Sequence, residues 1–169
     1  MAASPQHIVV MGVSGSGKTT LAATLAERLG YTFAEADDYH PRANVEKMSA
    51  GIPLTDADRE PWLRTLSRWL QAEDVAGRSS VMTCSALKRR YRDILREGLP
   101  DLIFIHLDGS LELLSERMVH RIGHFMPASL LRSQLQTLEA LEPDEHGIVF
   151  DVGRSPEELV AAAQEFVTT

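Results

Sequence analysis

Residues 12–19 read Gly12-Val13-Ser14-Gly15-Ser16-Gly17-Lys18-Thr19 and are followed directly by Thr20. It matches the pattern G-x-x-x-x-G-K-[S/T] at every defined position. An apolar run, residues 7–11, precedes it, and residues 19–29 after it carry apolar side chains at helical spacing. Between a strand and a helix, these glycines let the backbone N–H groups converge on phosphate oxygens, and the helix N-terminus adds positive charge. The loop therefore predicts a nucleoside triphosphate site.

Two side chains of this phosphate loop carry chemistry. Lys18 is long enough to reach the β- and γ-phosphates, and the Thr19 hydroxyl is suited to ligating Mg²⁺. We therefore expect ATP and Mg²⁺ to be bound by residues 12–20. The chain has no guanine-reading N-K-x-D tetrapeptide and is short for an ATPase motor. A small ATP-dependent kinase of a metabolite or nucleotide fits best.

Length and composition narrow the possibilities further. The 169 residues suit one domain, and no apolar run approaches the roughly 18–20 residues of a membrane span. Because 17 Lys and Arg stand against 24 Asp and Glu, the net charge of −7 disfavours binding to nucleic acid or an anionic membrane. The single cysteine, Cys84, and the lack of a secretory signal at the N-terminus favour a reducing, cytoplasmic location.

Short apolar runs alternate with helical segments along the chain. The predicted strands are residues 7–11, 31–36, 80–84, 102–107 and 148–152. The predicted helices include residues 19–29, which Gly30 ends, a helix that opens with the capping box Thr55-x-x-Asp58, residues 86–97, and a last helix that begins at Pro156 after an N-cap at Ser155. This alternation predicts an α/β chain, a three-layer P-loop NTPase fold whose five-stranded parallel sheet is covered by helices on both faces. Ligands on such sheets bind at the carboxyl ends of the strands, so the polar residues there are candidates for the site.

Phosphoryl transfer to a hydroxyl needs a carboxylate near the acceptor's proton. Asp37 and Asp38 end the second predicted strand, whereas the third, residues 80–84, ends without an Asp. Asp108 and Asp151 also lie in or after apolar strands. We favour Asp37 as the carboxylate near magnesium and acceptor. The sequence leaves open which of Asp37 and Asp38 faces the acceptor, and whether the pair only opens a turn.

Four cations, Lys88, Arg89, Arg90 and Arg92, follow the third strand. In a chain of net negative charge they form a local anion site. Because Lys88 and Arg92 would share one face of a helix, we expect these two to contact the ligand and the other two to lie at the surface. The alternative is a solvated helix face.

The break between two helical segments, residues 118–127, is basic and contains Gly123. Small phosphoryl-transfer enzymes often close an arginine-bearing segment over the γ-phosphate. We expect a mobile lid here, with Arg121 supplying charge in the transition state. An ordinary basic helix C-terminus is the alternative.

Several blocks of the sequence closely resemble the small P-loop gluconokinases, in order from about Ile8 to the C-terminus. Besides the phosphate loop, these blocks are Asp37-Asp38-Tyr39-His40-Pro41, the segment 51–63, Cys84-Ser85-Ala86-Leu87-Lys88 with Tyr91-Arg92-Asp93, and Gly123-His124-Phe125-Met126. The resemblance implies ATP-dependent phosphorylation of D-gluconate at its 6-hydroxyl, on a fold similar to shikimate and nucleoside monophosphate kinases. It also implies a homodimer.

Position by position, the resemblance implies a role for each of several side chains. Asp37 is the implied acceptor-side carboxylate, and Arg117 and Arg121 are implied lid and nucleotide contacts. The implied contacts to the sugar acid are His40, Arg59, Lys88, Arg92 and His124. Glu35-Ala36 departs from the pattern, which would place a glycine beside the aspartate. A shikimate or nucleotide kinase, and a nucleotide-binding regulatory module, are the alternative functions.

Overall fold

The computed structural model describes residues 4–119 and 128–169. In these two ranges, helices and strands alternate. The strands are β1 (His7–Met11), β2 (Thr32–Glu35), β3 (Ser80–Thr83), β4 (Ile103–Asp108) and β5 (Gly147–Asp151). The helices are α1 (Lys18–Leu29), α2 (Arg42–Ser49), α3 (Asp56–Val75), α4 (Arg89–Arg96), α5 (Leu111–Val119), α6 (Ala128–Thr137) and α7 (Pro156–Thr168). A short 3₁₀ helix, Ala36–Tyr39, follows β2.

All five strands are parallel and form one sheet in the order β2-β3-β1-β4-β5. The predicted α/β fold of the P-loop NTPase type is thereby confirmed. The central strand β1 is buried along its whole length, which agrees with the apolar run Ile8–Met11 that makes up most of it. Since the strands are parallel, the carboxyl ends of β1, β2 and β3 meet at one edge of the sheet.

Alternate residues of the strands face two separate cores. Ile8 and Val10 of β1 pack with buried residues of α1 and α7 on one face. Val9 and Met11 pack with buried residues of α3 and α4 on the other. Helices therefore cover both faces of the sheet, as the sequence predicts.

The phosphate loop begins where the backbone approaches other chain segments closely. Gly12 has φ +147°, and a Cβ there would lie 2.7 Å from the Leu107 carbonyl oxygen. The Gly12 N–H also donates to the Ser85 carbonyl at 3.3 Å. Only glycine fits this position, which ties the loop to the ends of β3 and β4.

The local signals at helix ends are confirmed in two places and wrong in another. Thr55 and Asp58 form the predicted capping box at the start of α3, and Gly30 ends α1 in the left-handed conformation. The helix expected from residue 86 begins only at Arg89, because Ala86 has φ +46° and Lys88 is extended. Helix α2 and the 3₁₀ helix were not predicted.

Within the two described ranges, none of the helices combines the length and apolar composition needed to cross a bilayer.

Candidate active site

A cavity of about 340 Å³ lies at the carboxyl ends of β1, β2 and β3. The phosphate loop forms its floor, and α2, α3 and α6 contribute to its walls. Its polar and charged lining residues are Ser14, Lys18, Thr19, Glu35, Asp37, His40, Arg59, Thr83, Ser85, Ser133, Gln134 and Thr137. Apolar side chains, among them Met48, Ile52, Leu54 and Trp62, also line the cavity.

The phosphate loop presents its lysine to the cavity. The Lys18 ammonium donates to the carbonyl oxygens of Gly12 at 3.0 Å and Val13 at 3.1 Å, so it lies folded over the loop. Gly15 and Gly17 have positive φ, 82° and 92°, which gives the loop its curl. This conformation suits a loop that wraps a phosphate chain.

Some of the other loop residues line the cavity, and others do not. Thr19, in the first turn of α1, lines the cavity together with Ser14, Gly15 and Gly17. Gly12, Val13 and Ser16 are buried and Thr20 is exposed, and all four lie outside the lining.

A glutamine of α6 reaches the phosphate loop across the cavity. The Ser14 N–H donates to Gln134 Oε1 at 2.8 Å, and Gln134 Nε2 donates to Ser14 Oγ at 3.3 Å. Helix α6 follows directly after the segment expected to form a lid. Sequence reasoning missed Gln134, because nothing local signals a contact between residues 120 positions apart.

The acceptor side is formed after β2. Asp37 and Asp38 are both exposed, but only Asp37 lines the cavity. His40 stacks on Trp62 with ring centroids 4.0 Å apart, and its Nε2 lies 3.7 Å from Asp37 Oδ1. Asn44 Nδ2 is 3.2 Å from His40 Nδ1. Since the amide donates there, the neutral ring carries its hydrogen on Nε2, facing Asp37.

Burial lowers the pKa of His40, and this effect outweighs the opposite effect of the nearby Asp37 carboxylate. The ring is therefore neutral near pH 7. It can orient a carboxylate or a hydroxyl without adding charge to the site.

Arg59 supplies a cation inside the cavity. Its Nη1 donates to the Leu54 carbonyl at 2.7 Å and to the Tyr91 hydroxyl at 3.1 Å, and its guanidinium lies 5.4 Å from the Tyr91 ring centroid. These contacts fix the guanidinium where an anionic acceptor can reach it.

The two carboxyl oxygens of Glu35, at the end of β2, have different surroundings. Glu35 Oε2 accepts a hydrogen bond from Thr83 Oγ1 at 3.1 Å. Glu35 Oε1 is buried and has no hydrogen-bond partner among the described residues. Sequence reasoning noticed Glu35 only as a departure from the family pattern, so it missed a carboxylate in the cavity.

Lys88 lies outside the cavity lining. It is the residue before α4, and its ammonium bonds both carboxyl oxygens of Asp56, at 3.0 and 3.3 Å. The Tyr91 hydroxyl donates to the same carboxylate. In the structure, Lys88 therefore joins the start of α4 to the start of α3.

The expectation that Arg92 contacts the ligand is wrong for this structure. Arg92 is fully buried, and its Nε and Nη2 donate to the two carboxyl oxygens of Glu145 at 2.7 and 3.1 Å. Its Nη1 donates to the Ala86 carbonyl at 2.9 Å. Since α4 begins after Lys88, the two cations do not share a helical face, and Arg92 points into the protein.

The residues expected in the lid are only partly described. Arg117 Nη2 donates to the Val152 carbonyl, which joins α5 to the segment after β5, outside the cavity lining. Arg121, Gly123 and His124 lie outside the described residues.

A phosphate loop and a carboxylate that meet in one cavity, at the edge of a parallel sheet, define a small P-loop kinase. A family model described as an AAA domain matches residues 8–141. A gluconokinase of Gluconobacter oxydans (strain 621H) is 57% identical over 145 residues, which cover 86% of this chain and 82% of that protein. The chain belongs to this P-loop family and, within it, to the gluconokinases.

Two solved structures agree with this assignment. A crystal structure of a gluconokinase from Sinorhizobium meliloti 1021 has a TM-score of 0.89 at 48% identity, covering 99% of this chain and 94% of that one. An unliganded sugar kinase from Janibacter sp. HTCC2649 has a TM-score of 0.93 at 58% identity, covering 97% and 95% of the two chains. The chain is a kinase that uses ATP.

Proposed function

We propose that this kinase transfers the γ-phosphoryl group of ATP to the 6-hydroxyl of D-gluconate, giving 6-phospho-D-gluconate and ADP. One observation carries the proposal: the phosphate loop and Asp37 line the same cavity, in a chain 57% identical to a gluconokinase. The cavity also contains Arg59, which suits an acceptor that is both an anion and rich in hydroxyls.

On the nucleotide side, the loop N–H groups and Lys18 hold the β- and γ-phosphates. As the acceptor oxygen bonds to the γ-phosphorus, the bond from that phosphorus to the oxygen of ADP breaks. The Lys18 ammonium stabilises the negative charge that develops on the transferring phosphoryl group in the transition state. Arg121, from the proposed lid, adds a second cation when the segment 118–127 closes.

On the acceptor side, the Asp37 carboxylate accepts the proton of the 6-hydroxyl and holds that oxygen in line with the γ-phosphate. The neutral His40 ring, stacked on Trp62, orients Asp37 or a gluconate hydroxyl. Arg59 pairs with the gluconate carboxylate, and Lys88 and His124 remain proposed contacts to the sugar acid. Arg117 remains a proposed nucleotide contact.

The residues in the cavity fit a magnesium ion bound with the nucleotide. No three His, Cys, Asp or Glu side chains converge as a metal site in the described ranges. Mg²⁺ in kinases is held by one or two protein groups together with phosphates and waters, so the Thr19 hydroxyl and a nearby carboxylate suffice. The ion would neutralise charge on the β- and γ-phosphates.

The remaining parts of the proposal concern location, domain structure and oligomeric state. We place the kinase in the cytoplasm, as a single domain with a mobile lid and as a homodimer. The resemblance to the small gluconokinases supports the dimer, and the single Cys supports a reducing compartment.

A coupled ADP-release assay with a panel of acceptors tests the proposed substrate. Gluconate should stimulate ADP release far above the ATP-only rate, while shikimate and nucleoside monophosphates should not. Stimulation by shikimate or by a nucleotide would assign the chain to those kinases instead. No stimulation by any acceptor would favour a regulatory module that binds nucleotide without transfer.

A further inference from the structure

Arg59 is the cation available to an acceptor in the cavity. Among the described residues that line the cavity, the cationic side chains are Arg59 and Lys18, and Lys18 lies folded over the phosphate loop. The His40 ring is neutral near pH 7, because burial lowers its pKa. Whatever holds the Arg59 guanidinium in place therefore determines how well a carboxylate on the acceptor is bound.

The Arg59 guanidinium is held by one of its three nitrogens. Its Nη1 donates to the Leu54 carbonyl at 2.7 Å and to the Tyr91 hydroxyl at 3.1 Å. Within residues 4–119 and 128–169, Nε and Nη2 have no hydrogen-bond acceptor. These two nitrogens form the fork of parallel donors that matches the two oxygens of a carboxylate.

Tyr91 contacts Arg59 but does not line the cavity. It lies in the first turn of α4 and is buried, with 2% of its surface exposed. The centroid of its ring is 5.4 Å from the Arg59 guanidinium. Because Tyr91 lies outside the lining, its effect on an acceptor has to pass through Arg59.

Asp56, the first residue of α3, orients the Tyr91 hydroxyl. That hydroxyl donates to Asp56 Oδ1, and the Lys88 ammonium and the Arg90 guanidinium donate to the same carboxylate at 3.0 Å each. A hydroxyl has a single hydrogen, so the bond to Asp56 leaves the lone pairs of the Tyr91 oxygen to accept from Arg59. Burial and the bond to Asp56 raise the pKa of Tyr91, so the hydroxyl keeps its hydrogen at neutral pH.

We propose that Tyr91 is a positioning residue for the acceptor: its hydroxyl, oriented by Asp56, fixes the Arg59 guanidinium so that Nε and Nη2 meet the acceptor carboxylate. The preference of the kinase for an anionic acceptor then depends on a side chain that does not touch the acceptor. Because the contact joins the starts of α3 and α4, the packing of these two helices sets the place of the guanidinium. This assignment rests on the proposed function, since it takes the acceptor to be a carboxylate such as gluconate.

Steady-state kinetics of Tyr91→Phe test the assignment, because this variant keeps the ring and removes only the hydroxyl. KM for gluconate should rise about 3- to 10-fold, the loss expected when one hydrogen bond that fixes a binding group is removed. KM for ATP and kcat should stay near the wild-type values, since Tyr91 lies outside the cavity lining. Asp56→Asn should raise KM for gluconate less, because the amide oxygen still accepts from Tyr91.

Two further comparisons make the test specific. Tyr31→Phe is the matched control: it removes a hydroxyl that donates to Gln6 Oε1 at 2.9 Å, outside the cavity lining, and should behave as the wild type. Arg59→Ala should lower kcat/KM for gluconate by about 10- to 100-fold. Adding Tyr91→Phe to Arg59→Ala should cause no further loss, because the hydroxyl acts only through the guanidinium.

Three results would overturn the assignment. An unchanged KM for gluconate in Tyr91→Phe, in a wild type that does phosphorylate gluconate, would reject it and leave the proposed function intact. Equal rises in the KM values for gluconate and ATP, together with a lower thermal midpoint, would make the role of Tyr91 structural. Losses from Tyr91→Phe and Arg59→Ala that simply add would show that the hydroxyl does not act through Arg59. A wild type without activity on gluconate would reject the proposed function and this assignment with it.

Discussion

Asp37 and Asp38 are adjacent in sequence but differ in what they face. Both lie exposed in the 3₁₀ helix after β2, but Asp37 lines the cavity and Asp38 does not. His40 lies near Asp37 and is itself held by Trp62 and Asn44. The carboxylate of Asp37 is therefore the one that neighbouring side chains can orient toward an acceptor.

Asp37→Asn should lower kcat by ~10²–10⁴-fold, because it removes the proton acceptor while keeping the shape of the side chain. ATP binding without magnesium should change little. Steady-state kinetics and calorimetry check the two expectations. Asp38→Asn is the matched control and should be several-fold milder. A larger loss in Asp38→Asn than in Asp37→Asn would exchange the two roles.

At this scale, the sequence predicts residues whose chemistry is local and misses those whose partners are distant. Lys18 and Thr19 were found because the motif fixes their spacing within one loop. Glu35 was missed as a cavity residue because its hydrogen-bond partner, Thr83, lies 48 positions away. The expectation that Arg92 contacts the ligand was wrong because its partner, Glu145, lies 53 positions away.

At the scale of elements, α4 is anchored by its buried arginine. Arg92 and Arg96 both donate to Glu145, and the Arg89 N–H donates to Glu139 at 2.8 Å. These contacts fasten α4 to the segment that connects α6 with β5. The basic cluster predicted to bind a ligand thus serves, in large part, to join two parts of the chain.

Arg92→Ala should lower the free energy of unfolding by about 3–5 kcal/mol, because it leaves the buried Glu145 carboxylate without its main partner. KM for gluconate should stay close to the wild-type value in whatever fraction is folded. Urea unfolding and steady-state kinetics measure the two effects. Arg90→Ala, at a largely exposed side chain, is the control and should change stability little. A selective rise in KM with unchanged stability would restore Arg92 as a ligand contact.

Helix α6 is coupled to the phosphate loop through Gln134. Gln134→Leu removes both hydrogen bonds to Ser14, each worth about 0.5–1.5 kcal/mol, so ATP binding should weaken by roughly tenfold. KM for gluconate should change much less. Gln136→Leu makes the same change at an exposed position of α6 and should have no effect. Calorimetric titration with ATP compares the two, and equal affinities would show that this contact does not support the loop.

Some helices were predicted from the sequence and others were not, because only some of them carry local signals. Helices with strong end signals, such as the Thr55–Asp58 capping box of α3 and Ser155-Pro156 before α7, begin where expected. Helix α2 has only one buried residue, Asn44, so it lacks the apolar face that gives a helix its periodic pattern. Its position depends on contacts such as the bond from Asn44 to the Asp58 carbonyl.

At the scale of the whole molecule, the buried Glu145 links stability to pH. Burial alone would raise its pKa, but hydrogen bonds from Arg92, the Glu142 N–H and Arg96 outweigh burial and lower the pKa from 4.5 to about 2. Because the pKa in the folded state is the lower one, the pairing stabilises the fold fully above pH 4.5 and is lost as the pH falls toward 2.

The free energy of unfolding should therefore decline between pH 4.5 and pH 2 more steeply in the wild type than in Glu145→Gln. The variant should also be less stable at neutral pH, since it leaves Arg92 buried without a counter-charge. Urea unfolding across this pH range measures both effects. Parallel slopes for the two proteins would mean that Glu145 is not the group responsible.

The fold class was predictable because each strand–helix unit is local in sequence and parallel strands require such crossovers. The strand order β2-β3-β1-β4-β5 was not predicted, since pairs such as Val10 and Thr83 join distant parts of the chain. The same long-range pairing brings Glu35, Asp37 and the phosphate loop into one cavity. The predicted family is confirmed by relatives that match most of the chain.

Phosphorus NMR of the reaction follows the transfer of phosphate from ATP to the 6-hydroxyl of gluconate directly. With ATP, Mg²⁺ and gluconate, the wild type should produce a new phosphomonoester signal. The two methylene protons next to the phosphate oxygen couple to phosphorus with similar strength, so they should split this signal into a triplet-like pattern. Lys18→Ala should produce almost none. A gluconate-dependent signal split by a single proton would place the phosphate on a secondary hydroxyl. No gluconate-dependent phosphomonoester at all would contradict the account.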